Sequence, residues 1–490
     1  MNRWPNPWTP SLLSVMGLVL LAGCASPQGI EPASGRLREV ATLAPEAVPA
    51  ADVAPLATRW WQALGDSQLD SLVERALAGH PSLRMAQARL AKAMAQVEAA
   101  DANPRPQVTG SLDMTRQRYT EKGMIPKPLA GSVQDTGTLQ LGASWELDFF
   151  HKHQSALAAA LGTARATRAD ADAASVLLSS NVVRAYLQLA RLQDLLALAQ
   201  RTQAQREHTL RLVQDRLAAG LDTQQELRQS EAAVPEARQQ VEALREQEQL
   251  TRNALAALVG QPGKDPVSQP PRLAGLRPLT TPWALPADLL GRRADVAAAR
   301  WRVEAAGSEV DHARAQFYPN INLVGFAGLS SIGLEHLLDR GALQWGVGPA
   351  IRLPVFDAGR LRANLRGRTA DLDAAIEAYN HTVIEAVHEV ADQLASGRSI
   401  ARQQLEQQQA QQGAEAAYQI AQQRYQEGLG NYLQVLSAET QVLAQRRLGV
   451  DLRARALDAQ VGLARALGGG WQAEPDLIPS APAGVAAARP

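Results

Sequence analysis

The chain is written twice. Arg216-Leu217-Ala218-Ala219-Gly220-Leu221 is answered by Arg424-Tyr425-Gln426-Glu427-Gly428-Leu429 at an offset of 208 residues, and Leu258-Val259-Gly260 by Ala466-Leu467-Gly468 at the same offset. Pro81-Ser82-Leu83 faces Ala294-Asp295-Val296 and Pro106 faces Pro319 at 213, while Leu147-Asp148-Phe149-Phe150 meets Leu353-Pro354-Val355-Phe356 at 206. A frame that drifts so little over most of 490 residues marks a duplication. Each copy reads as a short helical pattern, two alternating segments and a long helical hairpin. Four strands cannot close a barrel alone, so the working object expected from this pattern is an oligomer.

The helical part is unusually long. From His151 to Asp215 there is no proline, and Gly162 is the only glycine. Roughly sixty residues of helix at about 1.5 Å each reach on the order of 90 Å, too long for a globular domain and comparable to a span across the periplasm. In the second copy Leu361, Leu365, Leu372, Ile376, Tyr379, Val383, Val387, Val390 and Leu394 step by threes, fours and one seven, the spacing of a packed seam. Gly220 and Gly428 supply the positions where each hairpin reverses. Pro235 falls in the first returning helix and predicts an interruption and a kink there, whereas its counterpart is Leu443.

Between the helices the period changes to two. Val108, Gly110, Leu112 and Met114 alternate with Thr109, Ser111, Asp113 and Thr115; Leu139, Leu141, Ala143, Trp145, Leu147 and Phe149 alternate with Gln140, Gly142, Ser144, Glu146 and Asp148. The second copy repeats this with Ile321, Leu323, Gly325, Ala327 and Leu329, then Leu343, Trp345, Val347, Ile351, Leu353 and Val355. Segments about ten residues long, apolar on one face only, fit tilted strands that cross a membrane around a wet lumen. A soluble two-sheet sandwich is the other reading, but four strands among such long helices make a poor one.

The N-terminus adds a location. Arg3 opens a short basic region, Leu12 to Leu21 is apolar, and Leu21-Ala22-Gly23-Cys24 follows. The apolar run is too short for a membrane-spanning helix and reads as a signal peptide. Small residues before the single cysteine resemble the lipobox of bacterial lipoproteins, which implies diacylglycerol and an N-acyl chain on Cys24; a secretory signal with an incidental cysteine is the alternative. Ala25 stands where an inner-membrane retention signal has Asp, which favours the outer membrane. The 49 basic and 49 acidic residues cancel, so no electrostatic case exists for a nucleic-acid partner.

Several segments resemble the TolC/OprM-type outer-membrane factors, close to their NodT-like lipoprotein branch. They are Trp60-Trp61 with Gly65-Asp66 and Leu69-Asp70; Trp145 to Phe150; Leu285 to Leu290 with Arg292-Arg293 and Asp295; Phe317-Tyr318-Pro319; Pro354 to Gly359; and Arg424-Tyr425 with Gly428 and Asn431-Tyr432-Leu433. The resemblance covers about 55 to 470. It implies an α+β membrane protein of TolC-like fold: a duplicated unit, four transmembrane strands per chain, and a homotrimer with a 12-strand barrel continuous with a long periplasmic α-helical barrel. It further implies a passive exit duct served by a periplasmic adaptor and an inner-membrane pump, often of the resistance-nodulation-division type. Carried onto this chain, the hairpin tips that meet the adaptor are Arg216, Leu217, Gly220, Leu221, Asp222 and Thr223, and Arg424, Tyr425, Gly428, Leu429, Asn431 and Tyr432. Leu433 falls at the apolar constriction. Ser437 stands where relatives often carry an aperture Asp, with Asp222 and Glu439 nearby to supply charge.

The expected organisation is a signal peptide at 1–23, a lipidated leader with equatorial segment at 24–60, and a first repeat at 61–260 with strands near 106–118 and 137–150 and a hairpin at 151–260. An equatorial linker follows at 261–286, then a second repeat at 287–467 with strands near 319–330 and 342–356 and a hairpin at 357–467, and an irregular tail at 468–490. His151-Lys152-His153 lacks the accompanying ligands of a metal site and reads as a solvated polar turn; His381 and His388 read as surface residues. No cofactor and no catalytic residue is expected, because no nucleophile elbow, phosphate loop or zinc helix is present. The competing readings are the outlet of a type I protein exporter and a non-conducting coiled-coil envelope lipoprotein, which has no use for four alternating segments.

Overall fold

The structure, a computed structural model, describes residues 26–33, 35–39, 43, 56–279 and 289–473. The signal peptide, Cys24, the end of the linker and the tail beyond 473 lie outside the described residues. In chain order come α1 (Ser67–Gly79), α2 (Pro81–Ala102), β1 (Gln107–Arg118), β2 (Val133–Leu147), α3 (Lys152–Ala218), α4 (Gln224–Leu258), α5 (Ala294–Ala315), β3 (Asn320–Ile332), β4 (Leu343–Arg352), α6 (Arg360–Gln426) and α7 (Tyr432–Ala466). Short 3-10 turns lie at Trp60–Leu64 and Leu273–Gly275, and a four-residue helical turn at Leu289–Arg292.

The duplication is legible in the lengths. α2 and α5 each hold 22 residues, α3 and α6 each 67, and α4 and α7 each 35. At 1.5 Å per residue the two long helices each extend about 100 Å. Both leave the sheet in the same way. Asp148 accepts the Gln154 amide at 2.8 Å, and Asp357 accepts the Leu361 amide at 2.7 Å, so a carboxylate caps each first turn. His151 (φ 57°) and Gly359 (φ 85°) occupy equivalent left-handed positions that swing the chain from strand to helix.

β1 to β4 form one antiparallel sheet in sequence order, leaving β1 and β4 as its edges. β2 starts at Val133 rather than near 137, because its ladder with β1 runs on to Arg118. It stops at Leu147 rather than near 150, since Asp148 turns away to cap α3. β4 ends at Arg352, opposite Asn320, rather than near 356. Pro354 has no N–H to extend the ladder, although the apolar alternation runs past it.

Two apolar clusters tie the helices together away from the sheet. Trp60, Trp61, Leu64, Leu69 and Leu72 pack on Val182, Tyr186 and Leu189 of α3, with Leu255, Leu273 and Leu457. Val296 and Ala299 pack on Tyr379, Val383 and Val390 of α6, with Leu463. Pro235 neither ends nor interrupts α4. Ala233, Val234, Ala237 and Val241 are buried on either side of it, and that packing carries the helix through the missing hydrogen bond. Beyond α7, Gly468, Gly469 and Gly470 all have positive φ, and Trp471 donates to Asp172 of α3 at 3.0 Å. The described start of the tail is therefore a packed turn.

Candidate functional site: strand face and hairpin tips

The ladders sort the sheet into two faces. Leu112 pairs with Leu139, Leu139 with Leu329, and Leu329 with Leu343, so one row of leucines crosses all four strands. Further rows on that face join Trp145 to Leu323 and Leu147 to Ile321, and Ile321 to Ile351. The neighbouring row, on the opposite face, is Ser111, Gln140, Gly328 and Gln344. Apart from its end at Gly137, which Leu334 and Leu337 cover, the leucine face is open: Trp345 is 73% exposed and Val108 67%. Among the described residues no helix is long and apolar enough to cross a membrane.

At the far end of the long helices the two tips share one construction. Leu221 N–H donates to the Arg216 carbonyl at 2.8 Å and Gly220 N–H to that of Leu217 at 2.9 Å; Leu429 to Arg424 (2.7 Å) and Gly428 to Tyr425 (3.1 Å) repeat the motif. Gly220 and Gly428 both have φ 75°, the left-handed turn that glycine adopts without a Cβ penalty. Thr223 caps α4 through a capping box with Glu226, and Asn431 caps α7 by accepting the Gln434 amide. Leu221 and Leu429 stand exposed at the ends.

The tips are also joined to each other. Arg216 Nε donates to both Asp222 carboxylate oxygens at 3.1 and 3.2 Å, and its guanidinium lies 4.5 Å over the Tyr425 ring and donates to the Tyr425 carbonyl. The Tyr425 hydroxyl donates to Asp222. Burial and the Asp222 carboxylate push the Tyr425 hydroxyl well above its ordinary pKa. Tyr432 stacks at a tilt on Tyr425, and with Val213, Tyr418, Val435 and Val442 they form an apolar plug below the turns. Tyr418 is pushed up to about 12 by burial, with Glu439 adding to the shift. Arg206 of α3 holds three neighbours, donating to Glu439 of α7 (3.4 Å) and to Glu236 and the Ala233 carbonyl of α4 (2.9 and 3.1 Å). Burial raises the pKa of Glu439 despite Arg206.

Two expectations change here. The Asp222 side chain is 3% exposed and paired, and Glu439 is buried against Arg206, so neither presents free charge. Buried carboxylates require partners, and these have found cations. Leu433 is 55% exposed, and Ser437 lies exposed one turn along the same side of α7. Of His151-Lys152-His153 only His151 is exposed to solvent: Lys152 and His153 both reach Glu146, with His153 Nε2 at 3.1 Å. His381 and His388 lie exposed on α6. Among the described residues no His, Cys, Asp and Glu group suits a metal. Sequence reasoning missed Arg206, whose helical spacing carries no sign of partners on two other helices.

The sequence profile described as "Outer membrane efflux protein" matches residues 72–261 and 285–469, one block for each copy. The chain belongs to that family. It is 40% identical over 375 residues to the fusaric acid resistance protein FusA of Burkholderia cepacia, covering 74% of this chain and 71% of that one. Across 492 aligned positions it is 33% identical to the multidrug resistance outer membrane protein MdtP of Escherichia coli O6:H1, covering 95% and 97%. Among solved structures it resembles the outer membrane protein VceC of Vibrio cholerae, with TM-score 0.80 and 36% identity over 85% of this chain and 99% of that one. The protein is thus a TolC-like efflux channel of the outer membrane with a periplasmic extension, working with efflux pump components.

Proposed function

We propose that three copies close a twelve-strand barrel and that this homotrimer is the passive exit duct of a tripartite system. The observation that carries the reading is the sheet: one face with an apolar band across all four strands, one largely polar face and two unpaired edges. Hydrocarbon satisfies no backbone donor or acceptor, so β1 of one copy pairs with β4 of the next until the ring closes. The helices, about 100 Å long, take the duct toward an inner-membrane pump of the resistance-nodulation-division type. A periplasmic adaptor meets the tips around exposed Leu221 and Leu429, and Leu433 forms the constriction with Ser437 lining it. Small organic compounds are the cargo: FusA is named for resistance to fusaric acid and MdtP for multidrug resistance. Those names favour this reading over the outlet of a type I protein exporter.

Diacylglycerol and an N-acyl chain on Cys24 complete the attachment. The leader's course supports the anchor. Arg362, in the first turn of α6, donates to the carbonyls of Ser26 and Gln28; farther along, Asp373 accepts the Ala33 amide and Asn380 that of Arg38. Residue 26 thus lies at the sheet end of α6, where an acyl chain reaches the inner leaflet.

Light scattering of the detergent-solubilised protein tests the assembly, with a folded monomer as the contrary result. Photo-crosslinking from Leu221 and Leu429 in cells then identifies the adaptor. Capture of a protein-exporter adaptor would transfer the duct to that system. Mass spectrometry of the N-terminal peptide reads the acylation directly, and an unmodified Cys24 would remove the anchor.

A further inference from the structure

At the joint between sheet and helices lies an open cavity of about 600 Å³ lined by the ends of β2, β3 and β4, the starts of α3 and α6, and the end of α5. Three of its strand residues, Glu146, Asn320 and Arg352, belong to the polar face, since Asn320 pairs with Arg352 and Glu146 with Asn322. The charges around it are unequally employed. Glu146 is held by Lys152 and His153, and Asp148 is occupied in capping α3. His312 meets the Lys152 carbonyl and Gln316. Arg352 and Arg360 line the same cavity and have no ion-pair or side-chain hydrogen-bond partner among the described residues. Beside them Phe150 and Tyr318 stack, ring centroids 4.8 Å apart and planes 11° from parallel, with both rings partly open to solvent.

Two free guanidiniums next to an aromatic shelf form a recognisable pair of complementary surfaces. Guanidinium groups bind carboxylate or sulfonate oxygens through paired charge-assisted hydrogen bonds, and a flat ring lies well on an aromatic face. A pocket of this size suits a small organic molecule, with few polar groups setting orientation against apolar walls. We propose that the cavity is a cargo-binding station of the duct, selective for organic anions with an aromatic body. The anion meets Arg352 and Arg360, and the ring lies on Phe150 and Tyr318. This rests on the exit-duct reading above and adds a chemical preference to it. Because β4 is an edge strand, each station stands at a boundary between copies in the assembled ring.

The test is equilibrium binding to the full-length channel in nanodiscs, corrected with empty nanodiscs, using 8-anilino-1-naphthalenesulfonate and the neutral N-phenyl-1-naphthylamine. R352Q/R360Q is expected to weaken the sulfonate roughly tenfold while leaving the neutral probe unchanged, because only the charge-assisted bonds are lost. R352K/R360K keeps the charge and is expected to recover part of the affinity. Each single Arg→Gln change gives an intermediate loss if the double variant assembles poorly. Unchanged sulfonate affinity, or an equal loss for both probes, would overturn the station. So would a phospholipid retained by the wild type and lost from the double variant in native mass spectrometry, since the cavity would then belong to lipid. Conductance in planar bilayers, measured on the same preparations, reports the duct separately: a conducting channel with no sulfonate preference sinks only the station.

Discussion

The Tyr425 hydroxyl donates a hydrogen bond to the Asp222 carboxylate, joining residues 203 positions apart at the ends of two different hairpins. Asp222 is almost wholly enclosed and also holds Arg216, which in turn lies against the face of Tyr425. The three side chains form a closed ring of contacts between copies of the repeat.

Tyr425→Phe keeps the ring and its contact with Arg216 but removes the donor to Asp222. A hydrogen bond to a charged, buried group is worth about 1.5–3 kcal/mol. The amides of 216–223 and 424–432 are therefore expected to exchange faster by roughly tenfold or more, with the strands unaffected. Hydrogen-exchange mass spectrometry reads this directly, and unchanged protection at the tips would show that the bond carries no stability.

Arg206 and Glu439 are expected to behave unequally. Glu439→Gln leaves Arg206 its bonds to Glu236 and Ala233 and removes a buried charge, so thermal stability changes little. Arg206→Met strands Glu439 and is expected to cost about 3 kcal/mol at neutral pH. The sign with pH follows from the raised pKa of Glu439: the unfavourable ionised form dominates above the folded value and is relieved as protons bind. The Arg206→Met deficit should therefore shrink between neutral pH and the upper carboxylate range. A deficit that grows on acidification, measured by thermal unfolding of the helices, would contradict this.

Gly428 and Gly220 are constrained by backbone conformation alone, since a Cβ at either would meet nothing within 4 Å. Gly428→Ala is expected to cost on the order of 1 kcal/mol, the usual penalty for a left-handed non-glycine residue. Gly162 differs, because a Cβ there would lie 3.1 Å from the Ala305 Cα. Gly162→Leu should therefore disrupt the packing of α3 on α5, and stability measured on the two variants should show the larger loss for Gly162→Leu.

Leu433→Ala is expected to raise single-channel conductance, and Ser437→Asp to favour cations in a manner that fades with salt, as three like charges would surround the axis of a trimer. Bilayer recordings check both. If neither conductance nor ion selectivity moves, the constriction lies elsewhere.

The sheet was legible in the sequence because a period of two is a local signal: Leu112, Leu139, Leu329 and Leu343 each announce their face before any partner is known. The long helices were equally plain from the absence of breakers, and the reversals from Gly220 and Gly428. Partnerships between helices were not legible. Arg206 with Glu439, and Trp471 with Asp172, join residues 233 and 299 positions apart through packing that no repeating pattern encodes. Pro235 misled for a related reason, since propensity is local and the burial of Val234 and Val241 overrides it. The fate of the acidic groups was hidden in the same way: whether Asp222 faces water or a guanidinium depends on where Arg216 points.

The tip contacts also make the two halves unequal. At the offset of 208, the counterpart of Tyr425 is Leu217, and that of Asp222 is Gly430. Neither copy therefore contains the complete ring, and two identical first copies or two identical second copies would each lack a member. The first half supplies Asp222 and Arg216 and the second supplies Tyr425, so the two halves are not interchangeable at the tips. A chain rebuilt from either half alone would keep the geometry of its hairpins and lose what fastens one to the other.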